Sequence, residues 1–191
     1  MIEVYLYENV MQYKVKEVIK EFVFPKNAMY YGKIRNIPIF EETLYKLVKK
    51  EKWNQFLKPK NITVILPSHY QEIDKEMLTV LFQNVGIKSI KFKKEINLLP
   101  IKNNQVYLNV NQNYILGIIR KKNRVDKRFF PVNIFNSVEN TIKHILKVYG
   151  DSVRYYLYGT YSSIEKLPIK YNKKDIFYFR NSNHFLLRIE K

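Results

Sequence analysis

"NITVILPSHYQEIDKEMLTVLFQNVGIKSIKFKKEINLL", residues 61–99, decides how the rest of the chain is read. Its opening run, Asn61–Leu66, is almost wholly apolar, which predicts a buried strand of the parallel kind. Pro67-Ser68 breaks that run. Gln71–Asn84 then repeats apolar residues at helical spacing, with Ile73, Met77, Leu78, Leu81 and Phe82 expected on one face. Gly86 is placed to end the helix in the left-handed conformation. Lys88–Phe92 predicts a second short strand, and Glu95–Leu99 a helical turn before Pro100. Strand, helix and strand in this order lay two parallel strands into one sheet.

Upstream, Ile2–Tyr7, Met11–Lys16 and Val18–Phe24 predict three antiparallel strands, with a turn at Glu8-Asn9. Tyr31-Gly32-Lys33-Ile34 reads as a link. A helix is expected over Phe40–Phe56, with Phe40, Leu44, Leu47, Val48 and Phe56 inward, Glu41 and Glu42 in its first turn, and Pro59 stopping it. Downstream the pattern restarts. Val106–Val110 and Tyr114–Ile119 flank Asn111-Gln112-Asn113 as a hairpin. A third strand follows at about Arg124–Val132, then a helix over Asn133–Tyr149 with Ile134, Val138, Ile142, Ile145, Leu146 and Tyr149 inward. Val153–Tyr158 is a strand, Ser162–Leu167 a short helix, Ile176–Phe179 a last strand and Asn183–Ile189 a closing segment. The order β-β-β-α-β-α-β thus occurs twice, shortened in the second copy. The expectation is an α/β chain of two halves, residues 1–100 and 104–191, each a mixed five-stranded sheet with flanking helices.

Composition narrows the function classes. The 191 residues include 46% hydrophobic ones, enough for packed cores. There is no cysteine, so disulfides, thiolate metal sites and cysteine nucleophiles are excluded. The first ten residues show no signal-peptide pattern and no apolar run approaches a membrane span, so a cytoplasmic protein is expected. The net charge is +17, and residues 101–150 carry nine basic against two acidic residues. Such a field favours anionic partners, although a Lys-, Asn-, Ile- and Tyr-rich composition explains it equally. The densest cluster is "RKKNRVDKR", with Arg120, Lys121, Lys122, Arg124, Lys127 and Arg128 around Asp126 and with Phe129 and Phe130 adjoining. A projecting basic hairpin of this kind suits nucleic acid or an anionic membrane surface; a solvated turn is the plainer reading. Glu3, Glu8, Asp126 and Asp151 show no nuclease spacing, and His69, His144 and His184 are too scattered for a metal site. Ser68 lies in no nucleophile elbow.

The doubled order resembles the ribonuclease H-like fold of actin-type ATPases. Over residues 61–99 the chain is similar to bacterial actins of the MreB, FtsA and PilM kind: Pro67-Ser68, Val85-Gly86 and Glu95-Ile96 take the places of Pro-Ser, Ala-Gly and Glu-Pro. Gly32-Lys33-Ile34 resembles the Gly-x-Ile before the first helix. Val106–Ile118 stands where that family has its second phosphate hairpin, and "YYLYGTYSSIEKLP", residues 155–168, resembles its adenosine motif. The resemblance implies a nucleotide site at Tyr7, Glu8, Glu95, Asn109, Asn111, Gln112, Gly159 and Thr160, with Glu95 matching the water-positioning glutamate.

The departures point away from catalysis. The first hairpin lacks the glycine of Asp-x-Gly and carries Tyr7 and Glu8 there. In the second, Asn109 replaces the aspartate that serves Mg²⁺, and Asn111-Gln112-Asn113 replaces the glycines. Helix 133–149 runs almost directly into the strand at 153, and little chain lies between Phe24 and Gly32, so neither upper subdomain is expected. The expectation is therefore a degenerate ATPase with no cofactor and no metal, residual nucleotide binding being left open. It would serve as a scaffold or assembly protein of a bacterial cytoskeletal, division or pilus/secretion system, self-associating and meeting a membrane-associated protein at the inner face of the membrane. The alternative is a basic nucleic-acid-binding protein using residues 120–130.

Overall fold

The computed structural model describes residues 2–16, 18–30, 32–55, 61–99, 102–121, 124–133, 137–150, 153–159 and 176–178. Strand β1 (Ile2–Tyr7) is central to the first sheet, and all six of its residues are buried. It runs antiparallel to β2 (Val10–Val15), which pairs antiparallel with β3 (Val18–Val23). A short ribbon, β4 (Met29–Tyr30) with β5 (Lys33–Ile34), precedes helix α1 (Ile37–Lys50). Strand β6 (Asn61–Leu66), helix α2 (Glu72–Asn84) and strand β7 (Ser89–Lys94) follow, then a single 3-10 turn at Glu95–Asn97. Both β6 and β7 enter in parallel, giving the order β3-β2-β1-β6-β7.

Side chains alternate across a strand. Ile2, Val4 and Leu6 therefore share one face, where they pack with Phe40, Leu44, Leu47 and Val48 of α1 and Leu78, Leu81 and Phe82 of α2. Each such side chain contributes about 1.5–3 kcal/mol on burial. Phe24 stacks on Phe40 at 4.4 Å, and Trp53 meets Tyr13 edge-on at 5.1 Å.

The second sheet is built from β8 (Gln105–Val110), β9 (Tyr114–Lys121), β10 (Arg124–Pro131), β11 (Arg154–Tyr158) and β12 (Ile176–Tyr178), in the order β10-β9-β8-β11-β12. Again two antiparallel pairs precede two parallel ones. Helix α3 (Val138–Tyr149) lays Val138, Ile142, Ile145 and Leu146 against Val106, Leu108, Val110, Ile115 and Leu157. On the opposite face Tyr107 stacks on Tyr156 at 4.7 Å, and Tyr114 on Phe129 at 5.3 Å. The chain divides into two compact units, Met1–Leu98 and Leu99–Ile189, each with its own sheet. Among the described residues no helix is long and apolar enough to cross a membrane.

Four local expectations are corrected. Helix α1 begins at Ile37, not Phe40: Asn36 caps it by accepting from the Ile39 N–H at 3.2 Å, and Pro38 sits in the first turn, where an absent N–H costs nothing. Glu41 and Glu42 consequently lie beyond the first turn. Lys33-Ile34 of the expected link is strand β5 of the β4–β5 ribbon, and the Tyr70 hydroxyl donates to the Gly32 carbonyl beside it. Helix α3 starts at Val138, because Ser137 Oγ accepts from the Asn140 N–H. Ile73 is 65% exposed, since the inward face of α2 begins at Asp74 and Leu78. The expected helix at 162–167 and the closing segment at 183–189 lie outside the described residues.

Candidate functional site

The first hairpin turn is closed by two residues, because Tyr7 pairs directly with Val10. Glu8 holds φ 45°, the left-handed region that favours glycine. Tyr7 is buried, and its hydroxyl donates to Glu21 Oε1 at 3.0 Å, where Gln12 Nε2 donates at 2.7 Å. Burial and then the Glu21 carboxylate push the Tyr7 pKa well above the ordinary tyrosine value, so the ring stands there as a neutral donor.

One step along the same face of β1, the Tyr5 ring lies 5.6 Å from Tyr7. The Tyr5 hydroxyl donates to Glu95 Oε1 at 2.9 Å, and the Ser68 N–H donates to Glu95 Oε2 at 2.8 Å. Glu95 has no exposed surface although it opens the 3-10 turn. It is both a turn-starting residue and a buried acceptor held at the ends of β6 and β7. Tyr5, Ser68, Gln12 and Glu21 are the residues that sequence reasoning missed here. The available signal was the strand alternation, which puts Tyr5 on the face of Tyr7.

The second hairpin brings three nominated positions together. Asn109 and Asn111 are both buried, and Asn111 Nδ2 donates to Asn109 Oδ1 at 3.0 Å. The Asn111 N–H closes the turn on the Tyr114 carbonyl at 2.9 Å. Gly159 follows β11 with φ 127°, and a Cβ there would meet the Val110 carbonyl at 2.1 Å and Asn109 Oδ1 at 2.8 Å. Glycine is thus required by a close approach of β11 to the end of β8. Gln112 is exposed at the turn, and Thr160 lies outside the described residues.

The basic cluster divides over the β9–β10 hairpin. Arg120 and Lys121 are the last residues of β9, Lys122 lies outside the described residues, and Arg124, Lys127 and Arg128 are exposed on β10. Arg128 places its guanidinium 5.7 Å from the Tyr149 ring centre. His69 and His144 are far apart in the chain on separate units, and His184 is outside the described residues. Among the described residues no group of His, Asp and Glu is gathered to hold a metal ion.

No family model matches the chain, and no curated protein does. Solved structures do. The ethanolamine utilization protein EutJ from Carboxydothermus hydrogenoformans superposes with a TM-score of 0.62 at 10% identity, over 97% of this chain and 86% of that one. A Bacteroides thetaiotaomicron protein with an actin-like ATPase fold and unknown function gives 0.61 at 12%, over 97% and 94%. The filament structure of AlfA from B. subtilis plasmid pLS32 gives 0.58 at 13%, over 93% and 90%. The chain has an actin-like fold.

Proposed function

We propose that this is a reduced actin-like protein that assembles without hydrolysing a nucleotide. The two sheets are read as its ribonuclease H-like halves, 1–100 and 104–191, lacking both upper subdomains. The observation that carries the reading is the Asn111–Asn109–Gly159 contact. A magnesium triphosphate needs open main-chain N–H groups and a carboxylate at this turn. Here the Asn111 N–H is bonded to Tyr114, its side-chain amide to Asn109, and Asn109 brings no charge. At the first turn Tyr7 is buried and bonded to Glu21. These residues do not fit the group.

A scaffold role in a cytoplasmic assembly follows from that reading and from the actin-like fold, one example of which is a filament structure. Copies of the chain itself are the first partner, and a membrane-associated protein the second. Isothermal titration calorimetry with ATP and ADP in the presence of Mg²⁺, paired with a phosphate-release assay, tests the reading. The expected result is no heat above dilution and no phosphate. Micromolar binding followed by phosphate release would overturn it.

A further inference from the structure

The two sheets each end in an antiparallel edge strand, β3 in the first and β10 in the second. Among the described residues neither has a strand on its outer side. Val18 and Val23 of β3 are 58% and 62% exposed, and Val125 and Phe129 of β10 are 38% and 40% exposed. Exposed apolar edges of this kind are templates for another chain.

The main-chain directions are fixed. Val15 and Val18 flank a two-residue turn, and the Phe24 N–H bonds the Asn9 carbonyl, so even-numbered residues of β3 face β2. Ile19, Glu21 and Val23 therefore direct their N–H and C=O groups outward. Lys121 and Arg124 flank the turn of the other hairpin, and the Val132 N–H bonds the Asn113 carbonyl. Val125, Lys127 and Phe129 are the outward residues of β10.

We propose that β3 of one copy pairs antiparallel with β10 of the next, with Glu21 opposite Lys127. This register also sets Ile19 opposite Phe129 and Val23 opposite Val125, both favourable cross-strand pairs. Shifting it by two residues in either direction sets Glu21 and Lys127 against apolar residues. The longest like-edge pairings oppose like charges. For β3–β3 they centre on Glu21 against Glu21 or Lys20 against Lys20. For β10–β10 they centre on Lys127 against Lys127 or Arg128 against Arg128. Charge on an edge ordinarily blunts it, but here each edge rejects its own kind and fits the other. The remaining like-charged pair, Lys20 with Arg128, is relieved because Glu51 holds Lys20 at 2.9 Å. A contact between two different surfaces propagates from copy to copy. The proposal rests on the reading of the chain as a self-assembling protein.

Sedimentation velocity at physiological ionic strength, where the repulsion between copies of net charge +17 is screened, tests it. Lys127→Glu should weaken association roughly tenfold, and the charge-preserving Lys127→Arg should leave it within about twofold. Circular dichroism confirms folding of each variant. Because the chain has no cysteine, a mixture of Lys20→Cys and Arg128→Cys chains should give a disulfide-linked dimer under mild oxidation, and either alone much less. A wild type that associates with no response to Lys127→Glu and no mixed disulfide overturns this pairing but leaves the assembly reading standing. A wild type monomeric at every concentration overturns both. Retention of single-stranded DNA that falls steeply with salt and is lost in Lys127→Glu, with association unchanged, would assign β10 to nucleic acid instead.

Discussion

Tyr5 and Glu95, ninety positions apart, are joined by a hydrogen bond of 2.9 Å from the Tyr5 hydroxyl to Glu95 Oε1. The bond ties the first strand of the first unit to the turn that leaves its last strand. The second carboxylate oxygen takes the Ser68 N–H, just past the end of β6, so three strand ends converge on one buried side chain. Glu95→Gln keeps the shape but turns an amide group toward one of the two donors. It should destabilise the first unit by about 1–3 kcal/mol, the cost of a buried donor left unmatched. The single tryptophan, Trp53, is buried in that unit's core, so its fluorescence reports the shift as a lower urea midpoint with an unchanged slope.

Gly159 and Gly117 separate two kinds of glycine. Gly159→Ala places a Cβ 2.1 Å from a carbonyl oxygen at φ 127°, and the second unit should lose roughly 3 kcal/mol or more. Gly117→Ala meets Phe130 and Leu108 at 3.4 and 3.6 Å, an ordinary contact in a strand, and should change stability by less than about 1 kcal/mol. Thermal unfolding followed by circular dichroism distinguishes them. Equal effects would mean that β11 does not approach β8 as described.

Glu8 sits in the left-handed region within a two-residue turn. Glu8→Gly should stabilise the first unit by about 1 kcal/mol, read as a higher urea midpoint of Trp53 fluorescence. A fall would show that the glutamate side chain stabilises the turn by more than its backbone conformation costs.

Alkaline stability should be governed by buried tyrosines. Burial, with Tyr156 beside it, pushes the Tyr107 hydroxyl up to about 12 from 10.0. Tyr7 and Tyr70 move in the same direction. An unfolded tyrosine releases its proton near pH 10 while the folded one keeps it, so the unfolded state binds fewer protons in between. Stability from Tyr107 is therefore complete below about pH 10 and lost as the pH rises to about 12. Urea midpoints across that window should fall, and Tyr107→Phe should flatten the slope. An unaltered slope would place the ionisation elsewhere.

What the residues disclosed in advance was what periodicity and composition determine locally. Asn61–Leu66 reads as a strand because an apolar run of that length can be satisfied only between two neighbours, and it is found between β1 and β7. Helix α1 begins three residues before its first inward residue, Phe40, and apolar spacing carries no signal for those three positions; Pro38 among them is tolerated in a first turn. The β4–β5 ribbon is two residues on each side, too short for any alternation to show. Glu95 was visible as a position, but its burial depends on Tyr5 and Ser68, which no local pattern links to it. The resemblance assigns Asn109, Asn111 and Gly159 to one site, and the parallel pairing of β8 with β11 is what brings the last to the other two.

Among the described residues, the strand pairings of the first sheet lie between residues 2 and 94, and those of the second between residues 105 and 178. Among the described residues no strand of either sheet crosses the boundary. During translation, which adds about 5–20 residues each second, the earlier β-structure has all its partners several seconds before the later one does. If β3 of one copy pairs with β10 of the next as proposed, a chain still on the ribosome would offer a finished β3 to a released copy before its own β10 has partners, and joining would not wait for termination.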